Sequence, residues 1–204
     1  MRLQGILIKF RFIVLLTGIC CVCSTIVRAQ YFADSSGLEG GLAGQVLESA
    51  KEYKNRTIYT NLTPDVIDSA PDNKLSQIIT DYIRSKMNKR LSNEYEVLMQ
   101  EPEQLRTIYI ISQVEAEVNN GGFAQFYSST AGRLGEEAEK AFEAIQASHL
   151  ASLIKKANST YKAEGITDKL KSLDEQFFSL YEKEDLCELK VKYIRKNKKA
   201  LTNN

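Results

Sequence analysis

The chain has 204 residues, of which 26% are charged and 43% are hydrophobic, and its formal charge at pH 7 is +1. A charge this close to neutral excludes the strongly basic face that nucleic-acid-binding proteins need, so we expect no direct binding to nucleic acid. The balance is not that of a strongly acidic protein either.

The N-terminal residues 1–29 have the pattern of a secretory signal peptide. Three basic residues lie near the start, and an almost entirely apolar run follows over residues 12–27. Val27 and Ala29 place small or tolerated residues at the −3 and −1 positions before Gln30. The alternative is an uncleaved membrane anchor, but the apolar run is shorter than the about 20 residues of a membrane span. We therefore predict cleavage before Gln30.

Cleavage has consequences for charge and location. The signal peptide carries four basic residues and no acidic residue, so its removal changes the formal charge from +1 to −3. The mature protein would be exported, either to the periplasm or out of the cell, and would keep no stable membrane anchor. Its remaining length of about 170 residues fits one domain with a single core.

The segment 30–73 is predicted to be a flexible leader followed by a turn-rich stretch. Glycine and serine interrupt residues 30–45, and a short helix is expected around residues 46–53. Residues 54–73 are polar and contain two of the three prolines.

Helical periodicity dominates residues 74–200. One apolar stripe is formed by Leu75, Ile78, Ile79, Tyr82, Ile83, Met87 and Leu91. The helix that follows Pro102 is apolar on more than one face, so we expect it at the centre of the fold. No stretch has the alternating pattern of a strand. The sequence therefore predicts an all-α fold, a single helical bundle of roughly six to seven helices.

Residues that could carry catalysis or bind a metal are scarce. His149 is the only histidine, and its sequence neighbours offer no partner for a general base, so we expect a surface or capping role. Zinc needs several cysteine or histidine ligands, which the mature chain lacks. The cluster Glu136, Glu137, Glu139 and Glu143 has no Glu-x-x-His pairs on other helices and is expected to be a solvated face. No G-x-S-x-G, Walker or Rossmann pattern occurs, so we predict no catalytic residue, no metal and no cofactor.

The most unusual stretch is VNNGGFAQFY, residues 118–127. Glycine and asparagine tolerate positive φ, so residues 119–122 can stop the preceding helix and reverse the chain. The aromatic residues that follow would anchor a short helix in the core, and Glu115 and Gln125 could bond the exposed amides of the turn. The alternative is an anion nest, in which backbone N–H groups at a helix start bind a ligand. No lysine or arginine lies inside the motif to support a phosphate.

At these residues the chain resembles a known family. The run EAEVNNGGFAQFY at residues 115–127, followed by Gly132 and by AEKAFEAIQA at residues 138–147, is similar to the signature of the DNA-mimic protein DMP nineteen C-terminal domain family. Residues 177–197, which end in EDLCELKVKYIRKN, are similar to the closing helices of that family. The resemblance covers residues 75–200 and implies an all-helical fold. Most members of the family have no established activity.

The family takes its name from a proposed role in which acidic side chains imitate DNA phosphates and engage a DNA-binding protein. This chain departs from that role because its mature charge is near neutral and its signal peptide would separate it from cytoplasmic partners. Gln146 also stands where the family pattern has a glycine. The resemblance therefore implies the fold, and the mimic function is not expected to transfer.

Three hypotheses on function follow. The first is an exported, non-catalytic module that acts through contacts with an unknown protein partner. The second is a small-ligand or hydrolytic site at the Asn-Asn-Gly-Gly-Phe turn, lined by polar groups of the motif. The third is the DNA-mimic role, which charge and export disfavour. The candidate motif or binding residues are Glu115, Glu117, Asn119, Asn120, Gly121, Gly122, Phe123, Gln125 and Phe126.

Overall fold

The computed structural model describes residues 48–181 and 183–202. The predicted signal peptide and most of the predicted leader lie outside the described residues. Residues 48–55 are helical, close to the short helix that the sequence predicts, and belong to a first unit that ends at Thr57. The second unit begins at Ile58 and contains the remaining described residues.

The second unit is helical, with no strand among its described residues. Its helices are α1 (Pro64–Ser69), α2 (Asp72–Ser85), α3 (Glu94–Met99), α4 (Glu103–Ser128), a 3-10 helix (Thr130–Leu134), α5 (Gly135–Ala144), α6 (Ser148–Glu164), α7 (Asp168–Tyr181), α8 (Leu186–Lys196) and α9 (Lys198–Thr202). Six of these have ten or more residues, which confirms the predicted all-α bundle. Within the described part of the chain, no helix combines the length and apolar character needed to cross a membrane.

Helix α4 lies at the centre of the second unit, as its apolar pattern predicts. It packs against α2, α5, α7 and the 3-10 helix, and it also touches α8 and α9. Residues 107–111 are buried without interruption, so this part of α4 has no solvent-facing side. The helices that surround α4 therefore share one core with it.

The folded unit begins earlier than the sequence indicates. The sequence predicts a domain start at residue 74, whereas Leu62, Ile67 and Ala70 are already buried in the core. The Arg195 guanidinium of α8 donates to the carbonyl oxygens of Ile67 and Ala70 and so ties the end of α1 to the C-terminal part of the chain. These contacts join residues more than a hundred positions apart, which local composition does not reveal.

The apolar stripe of α2 is shorter than predicted. The helix ends at Ser85, and Leu91 lies in the following turn with a positive φ of 53°. The Asn88 side chain accepts hydrogen bonds from the N–H groups of Arg90 and Ser92, both at 3.1 Å. Such local bonding by asparagine competes with the helix, so the chain turns before Leu91 can join the stripe.

Candidate functional site

The Asn-Gly stretch forms a kink in α4. Asn119 and Asn120 stay helical, while Gly121 has φ −154° and ψ 21° and Gly122 has φ 75° and ψ −173°. The positive φ of Gly122 is a conformation that glycine adopts without steric cost. The sequence predicted a chain reversal over residues 119–122. The structure instead has a two-residue kink, after which the chain is helical again to Ser128.

The carboxylate of Asp174, on α7, lies at the start of the second helical segment of α4. Its Oδ1 accepts a hydrogen bond from the Phe123 N–H at 2.8 Å. A β-carbon at position 122 would lie 2.1 Å from Asp174 Oδ2, so only glycine leaves room for this carboxylate. The free N–H groups at a helix start attract a negative charge. Here a side chain of the protein itself supplies that charge.

Asp174 was not among the residues that the sequence singled out. It follows Phe123 by 51 positions, so nothing near the motif predicts the contact. One signal was present: Asp174 lies within the apolar stripe of α7, four residues after Leu170 and three before Phe177, both of which are fully buried. An acidic residue inside a core-facing stripe needs a polar partner, and the kink provides one.

Glu115 is buried and paired with Lys190 of α8. The Lys190 Nζ lies 2.5 Å from Glu115 Oε2, and each side chain is only 1% exposed. Glu115 therefore points into the core and does not flank an open turn. Burying a charge is costly unless an opposite charge meets it, so the pair ties α8 to α4 at a defined position.

Glu117 and Gln125 bridge the kink. The Gln125 Nε2 donates to Glu117 Oε2 at 3.1 Å, across the two glycines. A β-carbon on Gly121 would lie 2.7 Å from Gln125 Cβ, so the small residue at position 121 leaves space for the bridging side chain. Both side chains are half-buried. This bond links the helical segments on either side of the kink.

The aromatic residues of the motif anchor the second segment, as predicted. Phe123 and Phe126 are fully buried. The Phe123 ring meets the Phe177 ring of α7 edge to face, with centroids 5.9 Å apart. Tyr127 stacks on Tyr161 at 4.1 Å, and burial raises the pKa of the Tyr127 hydroxyl. The motif is therefore joined to α6 and α7 through aromatic contacts.

Asn119, Asn120 and Gly121 form the open side of the kink. Gly121 is exposed and the two asparagines are half-buried. Their exposure distinguishes them from the buried residues of the motif, which are Glu115, Gly122, Phe123 and Phe126. The predicted site residues thus include a buried inner group and an outer group of two amide side chains and the Gly121 backbone. The half-buried pair of Glu117 and Gln125 lies between them and bridges the kink.

A second polar cluster lies around Glu94, which sequence reasoning did not identify. Glu94 is 3% exposed and accepts hydrogen bonds from the hydroxyls of Tyr109 at 2.7 Å and Thr130 at 2.6 Å. Burial, together with the neighbouring Glu94, raises the pKa of the Tyr109 hydroxyl. Both donors lie far from Glu94 in sequence, and the cluster joins α3, α4 and the 3-10 helix.

Gln146 ends α5 in a conformation that glycine prefers. Its φ is 68°. The Gln146 N–H donates to the Glu143 carbonyl and the Ala147 N–H donates to the Phe142 carbonyl, both at 2.9 Å. These two bonds define a Schellman motif, whose residue with positive φ is usually glycine. Gln146, which stands where the family pattern has a glycine, therefore occupies a position whose positive φ favours glycine.

His149 lies on the surface, as predicted. Its side chain is 75% exposed, and Nδ1 lies 2.8 Å from Glu184 Oε1. The Glu184 carboxylate also accepts hydrogen bonds from the backbone N–H groups of His149 and Leu150 and so caps the start of α6. Among the described residues, no group of three or more His, Cys, Asp and Glu side chains is arranged to hold a metal ion.

Comparison with known proteins gives one finding for this chain. The model of a family described as DMP19-like protein matches residues 99–197. Searches of curated proteins and of solved structures give no significant match. The matched range contains the kink, the Asp174 cap and the buried pair of Glu115 and Lys190. Residues 99–197 are therefore similar to the DMP19-like protein family, in agreement with the resemblance of the central motif.

Proposed function

We propose that this chain is an exported helical module that acts through contacts with another protein and without catalysis. One observation supports the proposal: the charged, apolar and turn-forming residues of the motif make contacts inside the protein. Glu115 bonds Lys190, Glu117 bonds Gln125, and Asp174 closes the helix start at the kink. The export part of the proposal rests on the signal peptide pattern at residues 1–29.

Site-specific photo-crosslinking in the producing cells tests the proposal. A photoreactive amino acid would be placed at one of five exposed positions, each in a different segment of the unit: Lys89, Lys140, Lys156, Phe178 or Lys196. A protein partner predicts one discrete adduct of fixed mass from a subset of neighbouring positions, with no adduct from the rest. Absence of any adduct at all five positions, or equal labelling of many proteins at each, would contradict the proposal.

A small-ligand or hydrolytic site at the kink is the second candidate. It is favoured by the open side, where Asn119, Asn120 and the exposed Gly121 face solvent. Because Glu115 and Asp174 have partners inside the protein, the ligand would have to be recognised chiefly by the amides of the two asparagines. An N119A/N120A variant that folds normally should then lose ligand-induced thermal stabilisation in a screen of small polar ligands, while the wild type retains it.

The DNA-mimic role is the third candidate and the least supported. Several exposed carboxylates lie beside lysines: Glu136 is 2.6 Å from Lys162, and Glu188 is 2.6 Å from Lys192. A mimic needs an array of unneutralised negative charges, and such pairing reduces the local field. Competition between this protein and DNA for a DNA-binding protein, measured at low salt, would support the DNA-mimic role.

A further inference from the structure

We propose that the chain carries a proteolytic release site at the peptide bond between Arg56 and Thr57, suited to an endopeptidase of trypsin-like specificity. Hydrolysis adds water across this bond, which leaves a carboxylate on Arg56 and an α-amino group on Thr57. The product would begin at Thr57 and retain the complete helical unit, which starts at Ile58. The proposal goes beyond the proposed function and does not depend on it.

The backbone around this bond has the form that endopeptidases accept. Residues 56–59 have no regular secondary structure, and Thr57 is exposed. Ile58 is 51% exposed, which makes it one of the most exposed large apolar residues of the described chain. Exposed segments at the edge of a folded unit are preferred sites of cleavage, because the protease can bind them in an extended form without opening a core.

Two contacts of the Arg56 side chain lie on the leader side of the bond. The Arg56 guanidinium donates to the Tyr53 carbonyl at 2.5 Å and lies 3.7 Å from the centre of the Tyr53 ring. Breaking these contacts disturbs residues on the leader side of the bond. Beyond the bond, Tyr59 is partly buried against the core, and Leu62 is the first residue that is buried in it. Cleavage at Arg56 therefore leaves the core contacts of the second unit in place.

The turn at residues 86–93, which also contains basic residues outside helices, is held by several specific bonds. The turn that contains Arg90 is braced by Asn88, whose side chain accepts from Arg90 N–H and whose own N–H donates to Asn93 Oδ1 at 2.9 Å. Lys86 lies 2.6 Å from the buried Glu101. Cleavage in this turn would require those bonds to open first, so we expect Arg56 to be cut earlier.

Limited digestion of the full chain with trypsin tests the proposal, read by intact mass and N-terminal sequencing over time. Among the cuts beyond residue 48, the first is expected to give a fragment that begins at Thr57 and accumulates. This fragment should keep the helical circular dichroism and the cooperative thermal transition of the full chain. A first cut beyond residue 48 at any other bond, including the turn at residues 86–93 and the bond after Lys183, would overturn the proposal. So would a Thr57 fragment that has lost its cooperative transition.

Two variants and the protein made by its own cells complete the test. K54Q/R56Q should abolish the Thr57 fragment, because no basic residue then remains next to the bond. The matched control K89Q/R90Q removes charges from the other exposed turn and should digest like the wild type. In the producing cells, the wild-type protein should carry an N-terminus at Thr57 and the K54Q/R56Q variant should not. Recovery of wild-type protein that retains residues 30–56 throughout would overturn the physiological role.

Discussion

Lys190 and Glu115 form an ion pair inside the core of the helical unit, with Nζ and Oε2 2.5 Å apart and each side chain 1% exposed. The pair joins α8 to α4 just before the kink. Charges removed from water to this extent depend on each other, because desolvation penalises either one alone. Glu115 was expected as a polar group beside an open turn, and its position shows that this part of the motif faces inward.

Removing one partner of this pair should destabilise the fold strongly. K190M leaves the Glu115 carboxylate buried without its ammonium partner, and we expect the free energy of unfolding to fall by about 3–5 kcal/mol. The double variant E115L/K190M replaces both charges with apolar groups of similar size and should recover most of the loss. Urea denaturation monitored by circular dichroism measures both. A K190M variant as stable as the wild type would contradict the assignment.

Gly122 should tolerate no side chain. G122A combines the strain of a positive φ with a β-carbon 2.1 Å from Asp174 Oδ2, and we expect a loss of about 2–5 kcal/mol in stability. Gly165 is the matched control, since its φ is 69° but a β-carbon there would meet no atom within 4 Å. G165A should therefore lose only about 1–2 kcal/mol, the cost of the backbone conformation alone. Equal losses in the two variants would mean that Asp174 does not occupy the kink.

Gln146 offers a stabilising substitution. Q146G removes the steric cost of a positive φ at the end of α5, and after the entropy cost of glycine we expect a gain of about 0.5–1 kcal/mol. Q146A keeps a β-carbon at this position and should leave stability close to that of the wild type. Thermal unfolding of the wild type, Q146G and Q146A measures these differences in stability. A destabilised Q146G would show that the glutamine side chain contributes an interaction of its own.

Stability should fall in alkaline solution because of two buried tyrosines. Burial raises the pKa of Tyr109 and Tyr127 above the ordinary value of 10.0, so the folded state holds these protons more tightly than the unfolded state. Their contribution is fully present below the unfolded pKa and is lost as the pH rises through the folded pKa. The urea midpoint should therefore drop as the pH passes the ordinary tyrosine pKa. The variant Y127F should show a shallower drop, and an identical pH dependence would contradict the assignment.

The helices could be predicted from the sequence because their apolar spacing is a local property. The central position of α4 followed from its apolar character on more than one face. The conformational freedom of two glycines indicated an interruption, although the structure has a kink where the sequence predicted a chain reversal. Apolar spacing did not predict where α2 ends. The Asn88 side chain accepts hydrogen bonds in the turn after this helix, so Leu91 lies outside the helix although the apolar spacing continues to it. The preference for glycine at position 146 could be inferred only from the family pattern, from which Gln146 departs.

The partners of the motif could not be predicted, because they come from distant helices. Lys190 is separated from Glu115 by 75 positions and Asp174 from Phe123 by 51. Likewise, α1, which contains the buried Ile67, is contacted by the C-terminal helices from more than a hundred positions away. A single sequence records that Asp174 and Lys190 are charged residues on amphipathic helices. It does not record which buried group each one meets.

Asp174 closes the kink from within, at the place where an open anion site would bind its ligand. Hydrogen exchange of the Phe123 amide, followed by NMR, tests this closure, because that N–H is the donor to Asp174 Oδ1. We predict slow exchange in the wild type, much faster exchange in D174A, and partial protection in D174N, whose amide oxygen can still accept the bond. Rapid exchange of Phe123 in the wild type, or exchange unaffected by D174A, would contradict it.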